Sequence, residues 1–287
     1  MIRAMTDQRS PVVNAVALVG GGLMGSGIAA VLTAAGYRVS LFDPSSEARE
    51  RAASRVAKSA GEDGTSDRFT VHADLPPAVA GADLVIEAVP EVLDLKRELF
   101  AQIDEHAPPA AILASNTSEL SVTTLAAATS RPESVVGMHW FNPPERMRLV
   151  ELVRGVRTSD QALTAASEVA ARCEKTVVTV EDRQGFVTTR AVAALLVEGA
   201  RIMEEGVASP HDIDAAVRLG LNHPMGPLEL ADYIGLDTVL YISDSLTEAY
   251  GDRFRAPQTL RKFVEAGRLG RKSGEGYYLY DEDGKKK

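Results

Sequence analysis

The chain opens on a short apolar run, Ala15-Val16-Ala17-Leu18-Val19, that stops at a cluster of glycines. A continuous apolar run of this kind, ended by glycine, predicts a strand buried on both faces. Residues 28–35 then carry helical spacing up to Gly36, and residues 37–43 alternate like a second strand. A polar helix is expected over residues 45–60, broken by Gly61-Glu62-Asp63-Gly64. Further strands are expected at residues 68–72, 83–89 and 111–115, with a helix over 93–106. Strands that alternate with helices predict a doubly wound parallel sheet. Two more strand-like runs follow at residues 135–140 and 148–153, then a helix over 160–173 and a last strand over 175–180.

Beyond Gly185 the period changes. Residues 187–205, 212–219, 226–234, 236–250 and 258–266 all read as helices. The switch from mixed α/β to all-α falls at residues 182–185 and sets the expected domain boundary, 1–183 and 184–287. A length of 287 residues agrees with two domains. Residues 1–10 hold Arg3, Asp7, Gln8 and Arg9 and lack an apolar core, so they read as a tail rather than a secretory leader.

The glycines after the first strand fall as Gly20-Gly21-Gly22-Leu23-Met24-Gly25, a G-x-G-x-x-G pattern directly between a strand and a helix. The glycines serve a tight turn, close backbone approach to a pyrophosphate, and close packing of helix on strand. The helix N-terminus adds unpaired N–H groups and a positive dipole end. Asp43 ends the second strand about 20 residues on, where a carboxylate meets the ribose hydroxyls and repels a 2′-phosphate. Its plainer use is to start the turn before Pro44. With strand, glycines, helix and acid in register, the pattern predicts NAD bound by Gly20, Gly22, Leu23, Met24, Gly25 and Asp43. The fold class is therefore α/β, a Rossmann-type sheet with a C-terminal all-α domain.

Composition then limits what such a domain does. A net charge of −9 argues against a nucleic-acid partner. No apolar run reaches the ~20 residues of a membrane span. Cys173 is the only cysteine, which excludes a disulfide framework and a thiolate metal site and suits a reducing cytoplasm. No metal is expected.

Hydride chemistry at a hydroxyl carbon needs a group that takes and returns the hydroxyl proton, and histidine titrates in the right range. Of five histidines, His72 and His106 lie in polar surroundings, His211 lies at a helix start, and His223 precedes Pro224 in a turn. His139 ends an apolar strand and is followed by Trp140-Phe141-Asn142-Pro143-Pro144. Glu151 interrupts Leu149-Val150-Glu151-Leu152-Val153, where an unpaired buried carboxylate is costly. Pairing the two offsets that cost, although each alone is more often structural. Ser115-Asn116-Thr117-Ser118 follows the fifth strand at the carboxyl edge of the sheet; its polar groups, Asn116 included, either hold a substrate oxygen or nicotinamide or cap the next helix.

With these motifs in order, residues 16–280 resemble the L-3-hydroxyacyl-CoA dehydrogenase family, which includes 3-hydroxybutyryl-CoA dehydrogenases. The matching segments are 19–29, Glu87-Ala88-Val89-Pro90-Glu91, 115–118, 138–143, His223-Pro224-Met225-Gly226-Pro227, Gly235-Leu236-Asp237 and 270–278. The resemblance implies an NAD-dependent oxidoreductase acting on an acyl-CoA, with His139 as acid/base and Glu151 as its orienting carboxylate. It implies that Ser118, Asn142 and Thr189 face substrate, that Glu91 and Lys96 lie at the nicotinamide end, and that the helical domain forms a homodimer. Two departures stand out. The family's Gly-Phe-x-x-Asn-Arg segment reads Gly185-Phe186-Val187-Thr188-Thr189-Arg190, so a shorter hydroxyl replaces an amide. Between Asp43 and Arg68, where the family has a helical hairpin that contacts CoA, one helix and a short loop remain; Arg49, Arg51, Arg55 and Lys58 on it either meet phosphates or, as is more usual for such residues, form a solvated face. The carrier therefore stays open between CoA, an acyl carrier protein and a free hydroxy acid, and a binding protein without catalysis is the remaining alternative.

Overall fold

The computed structural model describes residues 12–60 and 66–287, so the N-terminal tail and the Gly61–Gly64 break lie outside the described residues. The chain divides into two compact units, Met1–Arg183 and Gln184–Lys287.

In the first unit the strands are Ala15–Val19 (β1), Arg38–Phe42 (β2), Phe69–His72 (β3), Leu84–Glu87 (β4), Ile112–Ser115 (β5), Val135–Trp140 (β6), Leu149–Arg154 (β7) and Thr176–Glu181 (β8). They form one sheet in the order β3-β2-β1-β4-β5-β6-β7-β8. Every neighbouring pair is parallel except β6 and β7. Strand order reverses on either side of β1, which opens a crevice at the carboxyl ends of β1 and β4. The antiparallel pair follows from chain length. Residues 141–148 are too few for a parallel crossover, which takes a dozen or more, so β7 turns straight back along β6.

The helices of this unit are Leu23–Ala34 (α1), Ser46–Ala60 (α2), Leu75–Val79 (α3), Leu93–His106 (α4), Val122–Ala126 (α5) and Asp160–Arg172 (α6). α1 begins at Leu23 rather than at residue 28, because Gly25, Ser26 and Gly27 are buried small residues that let the helix lie close on the sheet. α3 and α5 were not expected; five residues are too few to display a helical period. One core joins Leu18, Leu41 and Ile86 of the sheet to Ile28 and Leu32 of α1 and Val169 of α6.

The second unit is helical: Thr188–Glu204 (α7), Pro210–Gly220 (α8), Pro227–Ile234 (α9), Leu236–Tyr250 (α10) and Gln258–Glu265 (α11). Two buried acids organise it. Asp214 accepts the Leu228 and Glu229 N–H groups at 2.8 and 2.9 Å, which caps α9 from another helix. Asp232 accepts the Tyr277 and Tyr278 N–H groups, both at 2.9 Å, and the Tyr280 hydroxyl at 3.0 Å. A Cβ at Gly270 or Gly276 would overlap Asp232. The glycine- and tyrosine-rich segment 270–280 is thereby a strap laid across α9.

Candidate active site

The glycine turn has the shape its sequence requires. Gly20 sits at φ +106°, where a Cβ would lie 2.8 Å from the Ala88 carbonyl oxygen. A Cβ at Gly25 would overlap the Gly20 carbonyl, whereas one at Gly22 would meet nothing within 4 Å. Gly22 therefore faces open space at the start of α1, where the N–H groups of Leu23, Met24 and Gly25 precede the first helical bond. That cradle fits a pyrophosphate. Leu23 is 65% exposed beside it. Asp43 accepts the Gly21 N–H at 2.7 Å on one oxygen and the Ser45 N–H at 2.9 Å on the other. Both bonds fix the carboxylate and leave lone pairs for ribose hydroxyls. Arg55 is no solvated residue: it donates to Leu23 O at 2.6 Å and pairs with both carboxyl oxygens of Glu145, at 2.7 and 2.9 Å.

The strand ends of β4 and β5 hold a second polar group. Lys96, 1% exposed, pairs with Glu87 at 2.7 Å and Glu91 at 3.1 Å and reaches the Val89 carbonyl at 3.3 Å. Its three donors are all used within the protein, so Lys96 fixes the Glu91 carboxylate. Glu91 accepts the Thr117 hydroxyl at 2.5 Å and the Ser118 N–H at 2.8 Å. Burial alone would raise its pKa, but Lys96, Thr117 and Ser118 together outweigh burial and hold it below the usual value. The 115–118 segment does not cap the next helix; Ser121 does, accepting the Thr124 N–H. Instead Ser115 donates to Glu87 at 2.7 Å, and Asn116 Oδ1 accepts the Trp140 N–H at 2.9 Å, tying β5 to β6 at their carboxyl ends.

His139 and Glu151 are cross-strand partners in the β6–β7 ladder. Directly opposed residues share a face, with Cβ atoms about 5 Å apart. His139 Nδ1 lies 2.8 Å from Glu151 Oε2, and the residues are 7% and 1% exposed. A carboxylate only accepts, so the shared proton belongs to Nδ1 and the basic nitrogen of the neutral ring is Nε2. Phe141 packs on the ring, centroids 4.4 Å apart. β7 lies inside the sheet and not at its edge. Among the other histidines, His106 and His211 are exposed, and His223 Nδ1 bonds the Met225 carbonyl at 2.6 Å. Asn142 is exposed on the loop after β6. Thr189 belongs to the helical unit, buried in the first turn of α7. Glu87 was not singled out from the sequence, although it gave the same signal as Glu151, a carboxylate in an apolar strand; Thr117 was among the polar groups of the 115–118 segment, and its bond to Glu91 was not foreseen.

A dinucleotide cradle, a fixed acid after β2 and a buried histidine–carboxylate pair occur here in one unit. Residues 15–183 match the 3-hydroxyacyl-CoA dehydrogenase, NAD binding domain, and residues 185–280 match the 3-hydroxyacyl-CoA dehydrogenase, C-terminal domain. The chain is 42% identical to a probable 3-hydroxybutyryl-CoA dehydrogenase of Bacillus subtilis, across 94% of this chain and 98% of the relative. It is 41% identical to the 3-hydroxybutyryl-CoA dehydrogenase of Bradyrhizobium diazoefficiens, across 94% and 96%. Among solved structures, the (S)-3-hydroxybutyryl-CoA dehydrogenase of Ralstonia eutropha matches with a TM-score of 0.90 at 38% identity, covering 94% of this chain and all of that one. Sheet, site and both matched regions thus lead to one conclusion: the chain belongs to the 3-hydroxyacyl-CoA dehydrogenase family and carries its NAD binding domain.

Proposed function

We propose that the protein catalyses the reversible oxidation of an (S)-3-hydroxyacyl-CoA, such as 3-hydroxybutyryl-CoA, to the 3-oxoacyl-CoA. The observation that carries this reading is the buried His139–Glu151 pair, 2.8 Å apart. NAD, when bound, supplies the hydride acceptor. Gly20, Gly22, Leu23, Met24, Gly25 and Asp43 hold it, with Asn116 and Glu91 toward the nicotinamide and Lys96 acting through Glu91. Nε2 of His139 takes the C3 hydroxyl proton as the substrate is oxidised and returns it in reverse. Glu151 keeps Nδ1 protonated and stabilises the imidazolium that results. Ser118, Asn142 and Thr189 orient the substrate oxygens.

Residues 1–183 serve as the dinucleotide domain and residues 184–287 as the substrate and dimer domain. Val207, Leu219, Leu221, Tyr241 and Leu279 of the helical unit are each at least half exposed, which supports a homodimer through that unit. Sedimentation at twice the 30.6 kDa chain mass is expected, and a monomer at micromolar concentration would remove the dimer. Among the described residues no helix is long and apolar enough to cross a membrane, and a cytoplasmic setting suits the buried thiol of Cys173.

The test is NADH oxidation with acetoacetyl-CoA, longer 3-oxoacyl-CoAs and an acyl-carrier-protein thioester. Turnover is expected with the CoA thioesters. Turnover of free hydroxy acids alone, or NAD binding with no hydride transfer to any of these, would defeat the reading.

A further inference from the structure

Arg55 stands on α2, and its guanidinium joins the glycine turn to the loop that follows His139. Nη1 donates to the Leu23 carbonyl at 2.6 Å and to the Ser26 hydroxyl at 3.0 Å, both in the first turn of α1. The Ser26 hydroxyl passes this support on by donating to the Gly22 carbonyl at 2.7 Å. On the other edge of the guanidinium, Nε and Nη2 donate to the two oxygens of Glu145, at 2.7 and 2.9 Å. The two residues are 90 positions apart in the chain. Gly27 leaves room for this meeting. A Cβ there would lie 2.7 Å from the Arg55 guanidinium and 3.0 Å from Pro144, so helix, guanidinium and loop converge on one glycine.

Glu145 belongs to the loop over residues 141–148, which also carries Phe141, packed on the His139 ring, and Asn142. Lys175 holds the same loop, donating to the Pro144 and Met147 carbonyls at 2.7 and 2.9 Å. Burial alone would raise the Glu145 carboxyl. Its bonds to Arg55, with the charges of Arg55 and Lys175 adding, outweigh burial and hold it below the usual range. The pair is therefore ionised in neutral solution. Its side chains are 25% and 31% exposed, so water screens the charges and the worth of the contact is modest. Its value lies in geometry, because a two-point fork fixes direction as well as distance. Resting on the function proposed above, we infer that Arg55 and Glu145 are positioning residues, one clamp that holds the pyrophosphate turn and the substrate-facing loop in fixed register. Neither touches the hydride or the proton in transfer. Arg55 acts through Leu23 and Ser26, and Glu145 acts through Asn142.

The test compares the full-length protein with Arg55→Met, Arg55→Lys, Glu145→Gln and the double variant Arg55→Met/Glu145→Gln. Arg157→Met, which loses a surface arginine 3.9 Å from Glu133, is the control. NADH affinity is read from the fluorescence of NADH and needs no turnover. Trp140, the only tryptophan, is buried where the loop begins, and its quenching by acrylamide reports whether the loop has come free. Kinetics with acetoacetyl-CoA give kcat and KM separately. Glu145→Gln should raise KM about five-fold, the size of one screened ion pair, while NADH affinity stays near wild type. Trp140 quenching should rise with it. Arg55→Met should raise KM to the same degree and also weaken NADH about five-fold, because Leu23 and Ser26 lose their donor. In both, kcat should stay near wild type, since strand pairing sets the distance between His139 and Glu151. The double variant should match Arg55→Met, because two halves of one contact do not add, and Arg55→Lys should recover part of the KM. Additive changes in KM, or an equal change from Arg157→Met, overturn the assignment. So does a lower urea midpoint with KM, NADH affinity and Trp140 quenching unmoved, which marks a merely structural bridge. Should the wild type turn over no thioester, the proposed function fails, and NADH affinity with Trp140 quenching still decides the clamp.

Discussion

Replacing His139 by alanine removes the proposed proton acceptor and touches nothing in the glycine turn. Its turnover of acetoacetyl-CoA should fall about 10²- to 10⁴-fold, the usual contribution of a placed acid/base, while NAD affinity by fluorescence titration stays near wild type. Glu151→Gln tests the partner. An amide in place of the carboxylate removes the charge that favours the imidazolium, so kcat should drop by about 10²-fold in the oxidation direction. Near-normal rates in either variant would end the proton-transfer role. Thr189 is a separate question at this scale. It is 7% exposed in the first turn of α7, where an asparagine adds reach and a second hydrogen-bonding arm. Thr189→Asn should keep or raise kcat/KM; a collapse would mean that substrate is held differently from the family pattern.

At the scale of elements, the strap of residues 270–280 gives the sharpest expectation. Asp232 is fully buried, and its carboxylate is the shared acceptor for two backbone N–H groups and one hydroxyl of that strap. Asp232→Ala leaves these donors unpaired in the interior, a cost of about 3 kcal/mol or more, read as a lower urea midpoint. A change within about 0.5 kcal/mol, the range of a neutral surface substitution, would show that the strap hangs on its aromatic rings instead. None of this was legible in the sequence, where 270–278 appeared only as a family motif. Its hydrogen bonds run to an acid 45 to 48 residues back, and no local pattern reports them. The strands were legible because Ala15–Val19, Leu84–Glu87 and Ile112–Ser115 are apolar throughout except where chemistry intrudes. The reversal of β7 left no mark on its apolar run but was written in the 141–148 connection, too short for a parallel crossover. Likewise the burial of Lys96 against Glu87 was hidden, because it depends on strand β4 lying beneath it.

For the whole molecule, acid stability follows from two carboxylates of opposite tendency. Glu91 is held below the ordinary value of 4.5, since its bonds to Lys96, Thr117 and Ser118 outweigh burial. The folded state thus favours its charged form. Its contribution is complete above the unfolded pKa and is lost as pH falls through the folded one. Asp232 is raised, by burial first and by the nearby charge of Asp214 as well, so its ionisation works against the folded state as pH rises through the ordinary value of 3.8. Urea midpoints measured from pH 7 downward should therefore lose the Glu91 contribution below about 4.5, while protonation of Asp232 works the other way. In Glu91→Gln that decline should be shallower, starting from a lower plateau. An unchanged acid limb would remove Glu91 as a stabilising charge.

Because His139 and Glu151 stand opposite each other on two rungs of one ladder, their spacing is inherited from strand pairing and owes nothing to the turn between them. Beyond Phe141, which packs on the imidazole, Asn142, and Glu145, which holds Arg55, the connection over residues 143–148 is therefore at liberty to drift. Insertions there should leave the separation of imidazole and carboxylate untouched.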